Sequence, residues 1–161
     1  TANGSVTAPN IVLATNGYMG ELAPKVARHV MPINNYIVAT EPLGKDRAQS
    51  LIRRNVAVAD AKFVVNYFRL SADHRLLFGG GESYSYRFPR DIAAKARAPM
   101  LQIYPQLRDV KIDYAWGGTL GITMSRLPYL TDLGDGILNQ SIVLAQFFGF
   151  TVLGFFQTVL S

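Results

Sequence analysis

Short apolar runs separated by turn residues predict that much of this chain forms β-strands. The run IVLAT at Ile11–Thr15 is apolar until its last position and ends at an Asn-Gly turn, which predicts a buried strand of a parallel sheet. Alternating apolar positions predict strands at Asn34–Thr40 and at Lys111–Trp116, the latter ending at Gly117-Gly118. Three further strands are predicted at Val56–Asp60, Asn66–Ser71 and Arg75–Gly79, and the polar turn SADH makes the last two a hairpin.

A spacing of three or four residues between apolar positions predicts helices elsewhere. The segment Pro89–Leu107 places Ile92, Ala96, Met100 and Ile103 on one face, with Pro89 suited to the first turn. Pro99 inside this pattern predicts a kink or a break. One or two helical turns are predicted within residues 20–30, and a short helix is predicted where KDRAQSLI follows Gly44. Strands with at least one long helix predict an α+β fold.

The composition excludes several classes of protein. With 49% hydrophobic and 17% charged residues, a chain of 161 residues is expected to bury a core rather than to be disordered. The net charge of +5 is dispersed along the chain, so no nucleic-acid partner is predicted. The absence of Cys excludes disulfides, thiolate metal sites and Cys nucleophiles. Residues 1–10 lack the pattern of a secretory signal, and a cytoplasmic protein is predicted.

The C-terminal segment Gly136–Ser161 contains no charged residue and includes the run FFGFTVLGFF at 147–156. It is long enough to span a bilayer, for which about 20 residues suffice. Polar residues such as Gln146 and Gln157 dilute it, and no Lys or Arg lies close to either end, so a membrane anchor is the less favoured interpretation. A buried C-terminal helix is the other alternative that hydropathy leaves open.

Several candidate sites have a simpler structural interpretation. The glycines Gly79–Gly81 could cradle a phosphate, but they do not form GxGxxG and are better explained as a strand end. His29 and His74 lack partners at metal or triad spacing, and Asp132 and Asp135 lack enough oxygen ligands for a calcium loop, so no metal site is predicted. The aromatic pair Tyr84 and Tyr86, with Arg87, could line a pocket or could stiffen a sheet.

The stretch WGGTLGITMSRLP at Trp116–Pro128 indicates by its glycines only that the backbone passes close to another group. Together with IVLATNGY (11–18), MPINNYIVATEPL (31–43), YFRLSADHRLLFGGG (67–81) and YPQL (104–107), however, it resembles the C-terminal half of the FAD-dependent amine and amino-acid oxidoreductases. That family includes D-amino-acid oxidase, glycine oxidase and sarcosine oxidase. The likeness covers Val6 to Gly136 and is nearest to the γ-glutamylputrescine oxidoreductase branch.

The resemblance implies a division of the chain and a cofactor. Residues 1–29 would belong to an α/β FAD-binding domain, of which this chain holds a remnant. Residues 30–114 would form an antiparallel-rich substrate domain, residues 115–137 would return to the FAD-binding domain, and residues 138–161 would be an atypical apolar tail. FAD would be the cofactor, and no catalytic side chain is assigned. The residues that the resemblance places near the flavin or the substrate are Ala14, Thr15, Asn16, Gly17, Trp116, Gly117, Gly118 and Thr123.

The implied reaction is hydride transfer to flavin from the carbon next to an amine nitrogen, followed by hydrolysis of the imine. The amino-acid oxidases grip a substrate carboxylate with an Arg soon after the Trp-Gly segment, whereas here no Arg occurs until Arg126, in an RLP motif that the family more often uses structurally. We therefore expect a small amine without an α-carboxylate, such as a γ-glutamylputrescine-like polyamine derivative. The alternative is a catalytically inactive remnant of the fold or a binding domain, which the apolar tail could tether to a membrane.

Two features of the family are not found in this chain. The dinucleotide fingerprint GxGxxG lies in the N-terminal half of the FAD-binding domain, and we expect that half to be missing here. The Gly-Ser-Gly-His-Gly-like turn expected after residue 137 is replaced by apolar residues. A shift of reading frame near residue 138 would produce such a replacement. Because the phosphate-binding turn of the fingerprint is missing, we expect the fragment alone to be a poor FAD binder.

Overall fold

A computed structural model describes residues 2–84 and 87–141 of the chain. The described strands are β1 (Ile11–Leu13), β2 (Val30–Thr40), β3 (Val58–Ala59), β4 (Tyr67–Leu70), β5 (Leu76–Ser83), β6 (Ile112–Thr123), β7 (Tyr129–Gly134) and β8 (Ile137–Ser141). The described α-helices are α1 (Pro24–Ala27), α2 (Lys45–Leu51) and α3 (Ile92–Ile103), and 3-10 turns occur at Asn16–Tyr18 and Pro105–Leu107. The α+β class is therefore confirmed.

Five strands form an antiparallel sheet, here called the main sheet, in the order β3-β4-β5-β2-β6. Because successive side chains of a strand point to opposite faces, the sheet has two distinct surfaces. One face is covered by α2, α3 and the segment after α3, and it holds the larger core. The buried residues of this core are Tyr36, Val38, Ala48, Ile52, Phe68, Leu70, Leu76, Phe78, Ala96, Met100, Leu107 and Val110.

The other surface of the main sheet, here called the open face, carries a smaller cluster. Ile37, Ala39, Tyr67 and Leu77 are buried there, and Trp116 packs against them half-buried. No helical residue belongs to this cluster. The main sheet is therefore covered by helices on one side, whereas the cluster on its open face contains no helical residue.

The helix α3 forms as its apolar spacing predicts, with Ala96 and Met100 buried. It begins at Ile92 rather than near Pro89, because the Asp91 side chain caps the helix by accepting a hydrogen bond from the Ala94 N–H at 2.8 Å. The helix continues through Pro99, so a break at this residue is wrong, whereas a kink stays a prediction. Packing against β5 outweighs the hydrogen bond that Pro99 cannot donate.

Two strands run past glycines at which the sequence predicts an end. β5 continues through Gly79–Gly81 to Ser83, and β6 continues through Gly117 to Thr123. A Cβ atom on Gly79 would lie 2.0 Å from a Tyr67 ring carbon, and one on Gly117 would lie 2.9 Å from a backbone oxygen. These glycines therefore permit close packing and do not end the strands. Gly81 has a φ of +78° and lies where the register between β2 and β5 shifts, which is the geometry of a β-bulge.

The remaining strands form a small sheet in the order β1-β8-β7. β1 pairs in parallel with β8, as the sequence predicts, and β7 and β8 form an antiparallel hairpin. The expected burial of β1 is wrong for this chain, because Ile11 and Val12 are 44% and 58% exposed. Within residues 2–84 and 87–141, β8 is its single neighbour in the sheet. The apolar run of β1 is typical of an interior strand, but β1 lies at an edge of the small sheet.

The other predicted elements are also found. The hairpin of β4 and β5, the short helix α2 after Gly44 and a single helical turn within residues 20–30 are all confirmed. None of the helices described is both long and apolar enough to cross a membrane. The apolar tail beyond Ser141 lies outside the described residues.

Candidate functional site

The 3-10 turn at Asn16–Tyr18, here called the edge turn, lies along the outer edge of β6. The Asn16 side-chain oxygen accepts a hydrogen bond from the Gly121 N–H at 2.6 Å, and the Tyr18 hydroxyl oxygen accepts one from the Thr119 N–H at 2.8 Å. Two outward N–H groups of the edge strand are thereby satisfied, which also protects the edge from pairing with another chain. These two hydrogen bonds join residues that are 101 and 105 positions apart in the sequence.

The residues predicted near the flavin or the substrate divide into two groups. Asn16 and Gly17 lie against β6, where a Cβ atom on Gly17 would be 2.8 Å from the Leu120 backbone. Trp116 and Gly118 occupy alternate positions of β6, and both lie on the open face of the main sheet. The structure therefore places the edge turn against the strand that carries Trp116 and Gly118.

The other predicted residues do not belong to the cluster on the open face. Gly117 lies beneath the Phe88 and Tyr36 rings, on the helix-covered side. Thr123 is buried, and its hydroxyl donates to the Leu127 carbonyl at 2.8 Å. The Thr15 hydroxyl lies 3.5 Å from the Met19 sulfur, and Ala14 is exposed.

Gly118 differs from the other glycines of the main sheet because no close contact within the described residues requires it. The nearest atom to a Cβ built on Gly118 is the Tyr18 hydroxyl oxygen at 3.8 Å, an ordinary contact distance. Its φ also lies outside the left-handed region, so the backbone conformation does not demand glycine. A free space that a methyl group would fill thus lies beside Trp116 on the open face. This space fits the close approach of a flat ligand to the strand.

A hydrogen-bonded pair of polar side chains lies next to this space. Asn35 is the register partner of Gly118 in β2, and its side-chain N–H donates to the Gly81 carbonyl at 3.2 Å. The Tyr67 hydroxyl donates to the Asn35 side-chain oxygen. Burial raises the pKa of Tyr67 above its ordinary value of 10.0, so the phenol stays neutral and remains a hydrogen-bond donor at physiological pH.

Beyond this pair, a cavity of 490 Å³ opens between the main sheet and the segment 62–65. Its lining residues are Met31, Ile33, Asn35, Lys62, Phe63, Val64, Val65, Glu82, Tyr84, Leu120, Ile122, Thr123, Met124 and Arg126. The Tyr84 hydroxyl donates to a Glu82 carboxylate oxygen, and the Arg126 guanidinium lies 4.2 Å from the centre of the Phe63 ring. Arg126 therefore faces the cavity, although its RLP motif indicated a structural role.

Of these cavity residues, the sequence predicted only Thr123 as a site residue and Tyr84 as a possible pocket residue. Asn35 and Glu82 were missed, although alternation along β2 would have placed Asn35 on the face of Ile33 and Ile37. The second predicted pocket residue, Tyr86, lies outside the described residues, and Arg87 is exposed.

The predicted surface roles of the two histidines fit their positions. His29 is exposed, stacks on Tyr129 with ring centroids 4.9 Å apart, and places Nδ1 2.9 Å from the Lys25 carbonyl oxygen. His74 lies in the β4–β5 turn with a φ of +66°. Asp132 caps the β7–β8 turn by accepting a hydrogen bond from the Gly134 N–H at 2.8 Å. No group of three metal-ligating side chains occurs in the described part of the chain.

A family model described as "FAD dependent oxidoreductase" matches residues 1–153. The chain belongs to this family. The match includes the first part of the apolar tail, and a shifted reading frame near residue 138 stays a prediction. FAD is thus the cofactor of the family, and the family predicted from the resemblance is confirmed.

Curated relatives agree with the family assignment. A probable oxidoreductase OrdL of Rhizobium meliloti is 43% identical over 155 residues, which cover 92% of this chain and 36% of the relative. The γ-glutamylputrescine oxidoreductase of Escherichia coli is 41% identical over 138 residues, covering 85% of this chain and 32% of that protein. The chain therefore spans about a third of the length of these relatives.

The fold also matches solved structures. The crystal structure of glycine oxidase from Geobacillus kaustophilus superposes with a TM-score of 0.62 at 18% identity, covering 87% of this chain and 37% of that one. At this identity the match shows the fold alone. It agrees with the predicted α+β architecture.

Proposed function

We propose that the full-length protein containing this chain oxidises the C–N bond of a small amine, with FAD as the electron acceptor. The observation that carries the proposal is the space at Gly118, which lies beside Trp116 on the open face and which no described side chain fills. In a chain of the FAD-dependent oxidoreductase family, an apolar surface with an aromatic wall and an unexplained glycine suits a flat cofactor and its substrate.

The proposed roles follow from the positions of the residues. Trp116 and Gly118 would hold the flavin or the reacting part of the substrate, with Trp116 excluding water. Asn16 and Gly17, in the edge turn, would shape the approach to β6, and Thr15, Gly117 and Thr123 would support the site through packing. Ala14 would lead into the edge turn at an exposed position. When bound, FAD supplies the acceptor for the hydride that leaves the carbon next to the amine nitrogen. In this division, residues 30–114 act as the substrate domain, and residues 1–29 and 115–137 belong to the FAD-binding domain.

No step in this scheme requires an acid or a base from the described residues of the open face. The Asn35–Tyr67 pair is a fixed dipolar group that can orient a polar atom of the substrate, because both side chains are held by hydrogen bonds. A neutral Tyr67 can donate to a lone pair but cannot accept a proton from an ammonium group. The chain would therefore position and desolvate the amine.

We infer that the oxidised carbon carries no carboxylate. Arg126, the first Arg after the Trp-Gly segment, lies over Phe63 at the side of the cavity that the segment 62–65 forms. One relative is a γ-glutamylputrescine oxidoreductase, which supports an amine substrate of this kind.

The test is a substrate panel on the purified full-length protein loaded with FAD. Oxidation is followed with an artificial electron acceptor for γ-glutamylputrescine, putrescine, glycine and D-alanine. We expect turnover of the amines at a kcat/KM at least tenfold above that of the amino acids. Efficient turnover of glycine or D-alanine, with none of the amines, would refute the proposed substrate class, and the absence of bound FAD would refute the proposed function itself.

A further inference from the structure

The cavity next to the open face combines an apolar interior with charged groups of both signs. Met31 and Ile33 come from β2, Leu120 and Ile122 come from the edge strand β6, and Phe63 faces them from the segment 62–65. Glu82, Lys62 and Arg126 also line the cavity. An apolar cavity with a few charged groups is suited to a ligand that has a hydrocarbon part and a charged end.

Glu82 is the negative group of the cavity. It lies near the end of β5 as the register partner of Asn35, and one carboxylate oxygen accepts the Tyr84 hydroxyl. This hydrogen bond raises the pKa of Tyr84, so the Tyr84 proton stays in place to orient the carboxylate. Within residues 2–84 and 87–141, Glu82 forms no salt bridge. Its charge is therefore open to a cation in the cavity.

Arg126 is the positive group best placed for an anion. Its φ of +57° follows from the turn in which the Thr123 hydroxyl donates to the Leu127 carbonyl and the Arg126 N–H donates to the Thr123 carbonyl at 3.0 Å. The Phe63 ring supports the guanidinium plane, and no carboxylate among the described residues pairs with it.

Lys62 is the second cation of the cavity, and Asp60 lies two positions before it. Burial raises the pKa of Asp60, but hydrogen bonds from Asn66 and from the Lys62 backbone N–H lower it overall, and the Lys62 charge adds only a smaller contribution. The Arg126 guanidinium can also form two parallel hydrogen bonds with a carboxylate, which an ammonium group cannot. Arg126 is therefore the preferred anion-binding group.

We propose that this cavity binds the end of the amine substrate remote from the oxidised C–N bond, and that this end is zwitterionic, with its ammonium on Glu82 and its carboxylate on Arg126. The proposal rests on the proposed function and deepens it by assigning the groups that select the substrate. A simple diamine would leave Arg126 without a partner, and a simple carboxylate would leave Glu82 without one. A free amino-acid group attached through a flexible chain satisfies both.

The test compares three compounds on the FAD-loaded full-length protein: γ-glutamylputrescine, its α-methyl ester, which lacks the negative charge, and its Nα-acetyl derivative, which lacks the positive charge. Arg126→Gln should lower kcat/KM for the parent compound by roughly tenfold or more, mainly through KM, and should have little effect on the ester. Glu82→Gln should do the same for the parent compound and spare the acetyl derivative. Arg126→Lys should recover part of the loss.

Glu21→Gln and Arg54→Gln are the matched controls, because they make the same charge changes at exposed positions outside the cavity and should leave kcat/KM unchanged. Thermal unfolding of each variant checks that the fold is retained. Equal effects of Arg126→Gln on all three compounds, or no effect on any, would overturn the proposal.

A binding measurement distinguishes failure of the proposed zwitterion site from failure of the proposed function. If the wild-type protein oxidises none of the compounds, the proposed function is wrong, and calorimetric titration with the same compounds decides the present proposal. Tight binding of the parent compound that both Arg126→Gln and Glu82→Gln weaken roughly tenfold would uphold the zwitterion site. Absence of binding, or binding that these variants leave unchanged, would overturn it.

Discussion

Adding one methyl group at either of two glycines of β6 should have opposite consequences. Gly118 and Gly121 lie three positions apart on the same strand. A Cβ atom on Gly121 would lie 2.8 Å from the Asn16 backbone carbon and oxygen, whereas one on Gly118 has its nearest neighbour at 3.8 Å. Gly121→Ala must therefore push the edge turn away from β6, and Gly118→Ala displaces no atom of the chain.

The magnitudes follow from these contacts. Overpacking typically costs 1–3 kcal/mol, and displacement of the edge turn weakens the hydrogen bonds that Asn16 and Tyr18 make, at about 1 kcal/mol each. Gly121→Ala should thus lower the free energy of unfolding by about 3 kcal/mol. Gly118→Ala should be neutral or stabilising by about 0.5 kcal/mol, because alanine reduces the entropy of the unfolded chain.

The effects on activity should be reversed: Gly118→Ala, which costs little stability, should be the substitution that impairs function. In the FAD-loaded full-length protein, Gly118→Ala should reduce FAD affinity or kcat/KM at least tenfold while the melting temperature stays within a degree or two, because the new methyl group occupies the proposed ligand space. Thermal unfolding, flavin titration and steady-state kinetics measure the three quantities on the same preparation. A Gly118→Ala variant with wild-type FAD affinity and kcat/KM would refute the assignment of this space to a ligand.

Three further predictions concern the stability of the main sheet and its helices. Arg97→Ala should cost about 1–3 kcal/mol in an unfolding titration, because this side chain donates to two backbone carbonyls after α3, whereas the exposed Arg54→Ala should cost close to nothing. Asp91→Ala should cost about 1 kcal/mol through loss of the helix cap, while Asp91→Asn keeps a capping oxygen and should cost little; equal losses would contradict the cap. Hydrogen bonds from Ser71 and then Arg75 lower the pKa of Asp73. Asp73→Asn should therefore be less stable than the wild type at neutral pH, and this difference should disappear as the pH falls below about 3.8. A difference in stability that does not depend on pH would refute the assignment.

The strands, the hairpin and the long helix were predictable because their signals are local. The alternation of β2 and the apolar spacing of α3 each depend on a few neighbouring residues and on one buried face. The errors occurred where tertiary contacts reverse a local rule. Gly79 and Gly117 continue their strands because a ring or a backbone oxygen occupies the place of a side chain, and Pro99 is tolerated because α3 packs on β5.

The site was predictable only in part for the same reason. The resemblance indicated the segments of Trp116 and Asn16, and the structure places the edge turn that holds Asn16 against β6, the strand that holds Trp116. It gave no reason to choose Gly118 over Gly117. That distinction depends on which face of the sheet is covered by helices. Glu82 and Arg126 are 44 positions apart in the numbering of the chain, and only the pairing of the strands and the turn after β6 bring both to one cavity.

A crystal structure of the full-length protein with FAD bound would test the assignment of the open face most directly. We expect the flavin ring to lie against the open face, with its edge or plane in van der Waals contact with the Gly118 backbone and with Trp116 beside it. A flavin ring on the helix-covered side of the main sheet, or one separated from Gly118 by an intervening segment of protein, would contradict it.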